Sequence, residues 1–424
     1  PINSADQIFE HIERAFDEHE AHRESSVEFR HPGPSCWAWA QDWAQRSVDR
    51  PEGEPLPAWE PVYDAEPAVD HVSYALGVAL GRFHADGGGI AEHAPDSALP
   101  RGVLFLSAAH PERDLDSPAC EPLRRAWGAH GPDVAPKKGL HEWLRLHAFK
   151  DDHLKRYEHR PSYFPLSSAK RTFVTWVSIH RFDAQTLPYL LAEHLRDAQD
   201  KLDGELEDLR HAGDERDVER ENRLLAWRDE LEDYRTQVRQ IAEAGPPAAH
   251  PADPPREEDA PYHLHLDDGV MIHAAALWPL LGPQGWKKPR AWWSELCRAK
   301  GKKDYDWSRT AARYFPQRVA EKCRDDPSLA VAHGSFWRNH PAKAYAWELR
   351  LQDEIGPDFT LDEADSDALR AAFLESKPGE AADIEAAEMK RREKKRKKEE
   401  KEQAAALTAK SKTVTGPLFE GPAP

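Results

Sequence analysis

Methionine, cysteine, long apolar runs and net positive charge are all in short supply in this chain, and each shortage excludes something. Only Met271 and Met389 occur in 424 residues, and the sequence opens on Pro1, as expected of a fragment or a processed product. The cysteines Cys36, Cys120, Cys297 and Cys323 are scattered without CxxC spacing. That argues against a disulfide framework or a thiolate zinc site and fits a reducing cytoplasm. No apolar run approaches the roughly 20 residues that span a bilayer, and no signal-peptide pattern opens the chain, so no membrane partner is expected. Lys and Arg number 58 against 76 Asp and Glu, a formal net charge of −18. This balance counts against a free-standing nucleic-acid binder, whose non-specific affinity comes from cations on phosphates, although local basic faces remain open to an acidic protein.

What is present reads as an α+β chain, predominantly helical. It has a small β-hairpin or sheet region, a long antiparallel helical (coiled-coil) arm, and a charged C-terminal helix or tail. Segment 1–60 is an N-terminal helical stretch and linker: Ile8, Phe9, Ile12 and Phe16 form one stripe behind Ser4 as N-cap, and Trp37, Trp39 and Trp43 form a packing cluster. Segment 61–183 is an α+β region containing an apolar helix over Asp70–His84, a short buried strand over Val103–Leu106 and a helix built on Leu140, Trp143, Leu144, Leu146 and Phe149. Segment 184–244 is the arm, and 245–261 is a Pro/Ala/acidic linker. Segment 262–375 is α-rich, and 376–424, with its run EMKRREKKRKKEEKEQ, is a charged helix or disordered tail; a charge run of this kind is usually a solvated one, with DNA-backbone contact as the alternative.

The organising stretch runs from His153 to Leu195. Pro161 pushes Arg160 towards extended backbone and ends a helix there. Two β-rich runs follow, Ser162–Ser167 and Thr172–His180, separated by the polar turn Ser168-Ala169-Lys170-Arg171. Both alternating sets of the second run are largely apolar, so that strand is expected to be covered on both faces or to lie at an interface. Asp183 is the expected N-cap of a helix from about Ala184 to Arg210, and a second helix returns over about Asp214–Ala244 with Leu224, Leu225, Leu231, Val238 and Ile241 at helical spacing.

This stretch resembles the C-terminal half of adenine-specific DNA methyltransferases of the PglX type, found in BREX-class phage-defence systems, and of relatives in DISARM-type systems. The resemblance rests on Arg160-Pro161-Ser162-Tyr163-Phe164-Pro165-Leu166-Ser167-Ser168, His180-Arg181-Phe182-Asp183, Thr186-Leu187 and Leu266-Asp267-Asp268-Gly269-Val270, in that order. SYALGVALGRF upstream, and the region from Phe315 to Gly334 downstream, extend it to about Asp70–Gly334.

The resemblance implies S-adenosylmethionine chemistry, yet the motifs for it are missing. An adenine N6-methyltransferase needs a glycine loop after a strand, and an Asp/Asn-Pro-Pro-aromatic loop whose ring stacks on the flipped base. Asp253-Pro254-Pro255-Arg256 offers Arg where the ring belongs, in a low-complexity linker, and Gly87-Gly88-Gly89 follows a helix. No cofactor is therefore expected in this chain; S-adenosylmethionine belongs to an implied catalytic domain or partner. His263-x-His265-x-Asp267-Asp268 has metal-ligand types in alternation, but Asp-Asp-Gly reads first as a turn, and no metal or catalytic residue is assigned. No nucleophile elbow supports a hydrolase.

The residues expected to bind DNA are Lys155, Arg156, Arg160, Lys170, Arg171, His180 and Arg181, types that grip phosphates and read base edges. For His180 and Arg181, beside Asp183, a role in the hairpin–arm junction comes first; for Lys170 and Arg171, phosphate contact and plain solvation both stand. The expected function is the non-catalytic, DNA-recognition and assembly portion of a phage-defence N6-adenine methyltransferase, or a split subunit equivalent to it. Its expected partners are double-stranded DNA and the catalytic domain or other defence-system subunits. The alternative is a structural interaction protein of a defence complex, docking partners through the arm without touching DNA.

Overall fold

In a computed structural model that describes residues 5–93, 95–211, 217–250, 252, 262, 266–298 and 305–414, with side chains to 404, the chain forms two compact units. The first comprises Pro1–Tyr305 with Arg313–Phe315, the second Asp306–Ala312 with Pro316–Pro424. Helices dominate both, as the sequence predicts for an α+β chain.

The first unit is built round a three-stranded antiparallel sheet, β1 (Val103–Ser107), β2 (Tyr163–Ser167) and β3 (Phe173–Ser178), in the order β1-β3-β2. Central β3 pairs Val103 with Val177 on one side and Phe164 with Val177 on the other. Every residue of β3 is buried, so its two apolar sets do face covered surfaces. Pro165, which cannot donate to a ladder, sits in β2 at the sheet edge, where a missing donor is tolerated.

Helices α1 (Ala5–His22), α2 (Trp37–Asp49), α3 (Ala68–Ala79), α4 (Glu121–Val134) and α5 (Leu140–Leu146) precede or interrupt the sheet. Trp59, from the Pro-rich stretch after α2, stacks on His11 and meets Trp39 and Trp43 edge-on, so that stretch closes the aromatic cluster. Helix α3 packs along α4 and stops at Ala79, short of the predicted His84, because Gly81 takes a left-handed φ of 74°. At Gly77 a Cβ would lie 2.5 Å from the Phe83 ring, so the glycine permits that close approach. After α5 the chain passes through a π-turn at Phe149–His153 and one helical turn, Leu154–Arg156, which bring Phe149 and His153 against Trp176.

The arm enters later than the sequence suggests. Its first turn is Thr186–Tyr189, preceded by Asp183, whose Oδ1 accepts from the Gln185 amide at 2.8 Å. A π-turn over Leu190–Leu195 leads into α6 (Arg196–His211), and α7 (Val218–Ala244) returns alongside it. Asp214 lies outside the described residues; Asp217 caps α7, accepting from the Arg220 amide at 2.9 Å. Leu202, Leu206, Leu224 and Leu231 are buried between the helices and the body. The later half of α7 rests on the hairpin, where the Tyr234 hydroxyl meets Thr175 Oγ1 at 2.9 Å.

In the second unit, α8 (Pro341–Glu354), α9 (Ser366–Ser376) and α10 (Pro378–Val414) pack mutually. Glu348, 1% exposed, organises them: it accepts from the Leu361 amide at 2.8 Å, from Trp337 Nε1 and from the Arg370 guanidinium. The charged C-terminal run is thus helical and docked on α8 through Arg350–Glu388 and Arg391–Asp353.

Candidate anion-binding cleft at the base of the hairpin

A buried carboxylate anchors the hairpin base. Glu24, in the loop after α1, is 7% exposed and accepts from Ser73 Oγ at 3.0 Å, Tyr157 Oη at 2.8 Å and Tyr163 Oη. Arg156 Nε lies 3.7 Å from its other oxygen, while the same guanidinium reaches Asp70 at 2.6 Å and Asp152 at 2.8 Å. Burial pushes the Glu24 carboxyl up, opposed by the Arg156 charge, and burial likewise raises Asp152. Arg156 therefore holds three acidic groups together, and its own guanidinium is held above its ordinary value despite its burial.

In front of this cluster opens a cleft of about 290 Å³, lined by Arg23, Ser25, Arg82, Arg160 and Ser162 together with Glu24, Arg156, Tyr157 and Glu158. Arg156 is saturated by its carboxylates, and Arg23 pairs with Glu20 at 2.8 Å. Arg82 and Arg160 have no ion-pair partner among the described residues; the Arg82 guanidinium lies over the Phe83 ring, and burial lowers its pKa. The turn that presents Arg160 is strained: Glu158 and His159 have φ of 49° and 67°, and the His159 amide reaches back to the Leu154 carbonyl at 2.8 Å. Non-glycine residues in this region cost of order 1–3 kcal/mol each and persist only where surroundings hold them. Two guanidiniums without an ion-pair partner among the described residues, beside serine hydroxyls in a cleft that Glu24 and Glu158 also line, suit an anion with several oxygens, such as a phosphodiester.

The expected residues fall at opposite ends of the hairpin. Arg156 and Arg160 are at the base, with Lys155 exposed on the helical turn before it. Arg181 also lies there, and its Nε and Nη2 donate to the Gly81 carbonyl at 3.0 and 2.6 Å, fixing the end of α3 against the strand exit. His180 is exposed along one edge, yet partial burial and then the Arg82 and Arg181 charges push its imidazole down to about 4, so it is neutral at physiological pH. Lys170 and Arg171 are at the tip. There Glu230 of α7 accepts from Ser168 Oγ at 2.6 Å, the Lys170 amide at 2.8 Å and Thr172 Oγ1 at 2.6 Å. Arg171, at a φ of 60°, donates to the Leu146 carbonyl at 3.0 Å, while the Lys170 side chain is exposed.

Sequence reasoning missed Arg23, Glu24 and Arg82. Arg82 stood in the SYALGVALGRF segment, directly after Gly81, so a signal existed; Glu24, 133 residues before its partner Tyr157, left none.

The residues present do not fit S-adenosylmethionine. Among the described residues the sheet is antiparallel and no glycine loop joins a strand to a helix. Gly89, at a φ of 85°, instead lets the chain pass the Phe29 carbonyl, 2.8 Å from where a Cβ would stand. His263 and His265 lie outside the described residues, and among those described no group of His, Cys, Asp or Glu is arranged for a metal ion. Nor is any described helix long and apolar enough to cross a membrane.

No protein-family model matches the chain. Half of it is similar to the adenine-specific methyltransferase BrxX of Escherichia coli O9:H4 (strain HS), at 25% identity over 255 residues. The chain spans about a fifth of that protein's length, the matched part covering 20% of it.

Proposed function

We propose that this chain is the DNA-recognition and assembly portion of a phage-defence N6-adenine DNA methyltransferase, or a separate subunit equivalent to it. The observation that carries the reading is the similarity to an adenine-specific methyltransferase over half the chain, together with the ordered RPSYFPLSS, HRFD and LDDGV segments. The arginine cleft supplies the chemistry: Arg82 and Arg160 take up backbone phosphate while Arg156 stays locked to its carboxylates and keeps the cleft in shape. S-adenosylmethionine and the methyl transfer belong to a catalytic domain or partner. The test is fluorescence anisotropy with a short DNA duplex at low salt. Arg82→Gln/Arg160→Gln is expected to weaken binding by about tenfold, as loss of two charge-assisted contacts predicts. Unchanged binding by a folded double variant would remove the cleft from DNA recognition.

The net charge of −18 favours a second reading, in which the chain joins defence-complex subunits and does not contact DNA. Absence of duplex binding at low salt, beside a stable complex with the methyltransferase subunit, would establish that reading instead.

A further inference from the structure

The helix α10 carries its positive charge on one side. Its inner side is defined by contacts within the second unit: Ala381 is 4% exposed, Glu385 accepts from Tyr345, Glu388 pairs with Arg350, Arg391 and Arg392 with Asp353, and Lys395 with Glu354. At 100° per residue these positions cluster within about 60° of one direction. Lys390, Lys394, Lys397 and Lys401, at the i, i+4, i+7, i+11 spacing, point the opposite way, with Lys398 at their flank; all five are exposed.

Carboxylates do not cancel this stripe. Lys390, Lys394 and Lys401 have no ion-pair partner among the described residues. Lys397–Glu393 and Lys398–Glu402 are i,i+4 pairs with both members largely exposed, a kind worth little and easily exchanged. From Lys390 to Glu402 the sequence holds nine Lys or Arg and four Glu, a local charge of +5 within a chain of −18. A cation stripe on the side facing away from the docking contacts, in an otherwise acidic protein, is complementary to a polyanion.

We propose that this lysine face binds the sugar-phosphate backbone of duplex DNA without regard to sequence. The stripe from Lys390 to Lys401 is about 16 Å long at 1.5 Å per residue, and duplex DNA carries one phosphate per roughly 1.7 Å of its axis counting both strands, so about ten phosphates lie along that length and the facing ones suffice for each lysine to meet a different one. The successive steps of three or four residues, about 5–6 Å, keep ammonium groups spaced along the strand rather than focused on one anion. Lysine is suited to this as a flexible point charge, where arginine would favour fixed bidentate geometry. The inference stands apart from the arginine cleft, since neither its residues nor its argument involve the first unit.

The test uses the full chain and a random-sequence 20-base-pair duplex, with affinity measured over a salt series. The quadruple variant Lys390→Gln/Lys394→Gln/Lys397→Gln/Lys401→Gln keeps helix-compatible side chains, and circular dichroism checks that α10 is retained. Removing four phosphate contacts is expected to reduce the slope of log K against log salt by about 3 to 4 and to weaken binding at low salt by at least tenfold. A shift of this size that is equal for unrelated duplex sequences supports the proposal. Three results would overturn it: an unchanged slope, a loss confined to one sequence, or retained duplex binding with loss only towards vesicles of anionic phospholipid. Because Arg82→Gln/Arg160→Gln is measured in parallel, failure of the lysine face and failure of the cleft are separately visible.

Discussion

At the base of the hairpin, Arg82 and Arg160 face a cleft without ion-pair partners among the described residues, whereas at the tip Arg171 is fastened to the Leu146 carbonyl and Glu230 holds the turn. Both ends are basic in sequence, with Arg160 at one and Lys170-Arg171 at the other. The difference comes from what reaches each end from elsewhere. Glu24, Asp70 and Asp152 converge on Arg156 at the base and leave its neighbours free. One carboxylate of α7 arrives at the tip and engages the turn's hydroxyls and an amide. Cations near a hairpin thus stay without ion-pair partners or become part of a structural clamp according to the supply of acceptors.

The largest effect should follow from breaking the base. Arg156→Gln leaves Glu24 buried without its cation and Asp152, half-buried, facing Asp70 unopposed, and removal of one partner from a buried ion-pair cluster typically costs about 3–5 kcal/mol. Both carboxyls already have raised pKa values through burial. A carboxyl raised on folding favours the fold while protonated, and that contribution is lost as pH climbs through its raised value. The deficit of the variant should therefore shrink between about pH 7.5 and about pH 5, as measured by urea denaturation at both; an equal deficit would mean that acid repulsion is not the cause. Next in size is Glu230→Ala at the tip. It strands Ser168 Oγ, Thr172 Oγ1 and the Lys170 amide, for a loss of about 2–4 kcal/mol, and Glu230→Gln should recover part of it. A loss below about 0.5 kcal/mol would show that solvent replaces the carboxylate and that the tip is not clamped.

Much of this contrast was written in local patterns. The alternating apolar sets of Thr172–His180 predicted a strand covered on both faces or lying at an interface, and Leu224, Leu225, Leu231, Val238 and Ile241 at helical spacing predicted the returning helix. Local pattern was silent wherever partners came from far away. Glu24 reaches Tyr157 and Tyr163, and Glu230 reaches back to Ser168 across 62 residues. Within helical sequence Glu230 reads as one more solvated acid of a charged arm; only the packing of α7 on the hairpin buries it to 7% exposure. The two π-turns and the left-handed Glu158-His159 pair were equally hidden, because neither carries glycine or proline as a marker. The boundary errors have the same origin: α3 ends where Gly81 turns left-handed and Arg181 covers its carbonyl, 100 residues downstream.

The smallest expected effect separates the two cations of the tip. Lys170 has its amide on Glu230 but its side chain in solvent, so Lys170→Ala should change stability by less than about 0.5 kcal/mol. Arg171→Ala removes the hydrogen bond to Leu146 and keeps a side chain on left-handed backbone, for a loss of about 1 kcal/mol. Arg171→Gly removes the same guanidinium while relieving the backbone at φ 60°, so it should be less harmful than alanine despite deleting more atoms. Thermal denaturation of the three variants gives the order directly. If glycine proved worse than alanine, the backbone at residue 171 would hold no strain for glycine to relieve; if Arg171→Ala cost no more than Lys170→Ala, the Leu146 contact would fasten nothing and the two ends of the hairpin would be as alike in structure as they are in sequence.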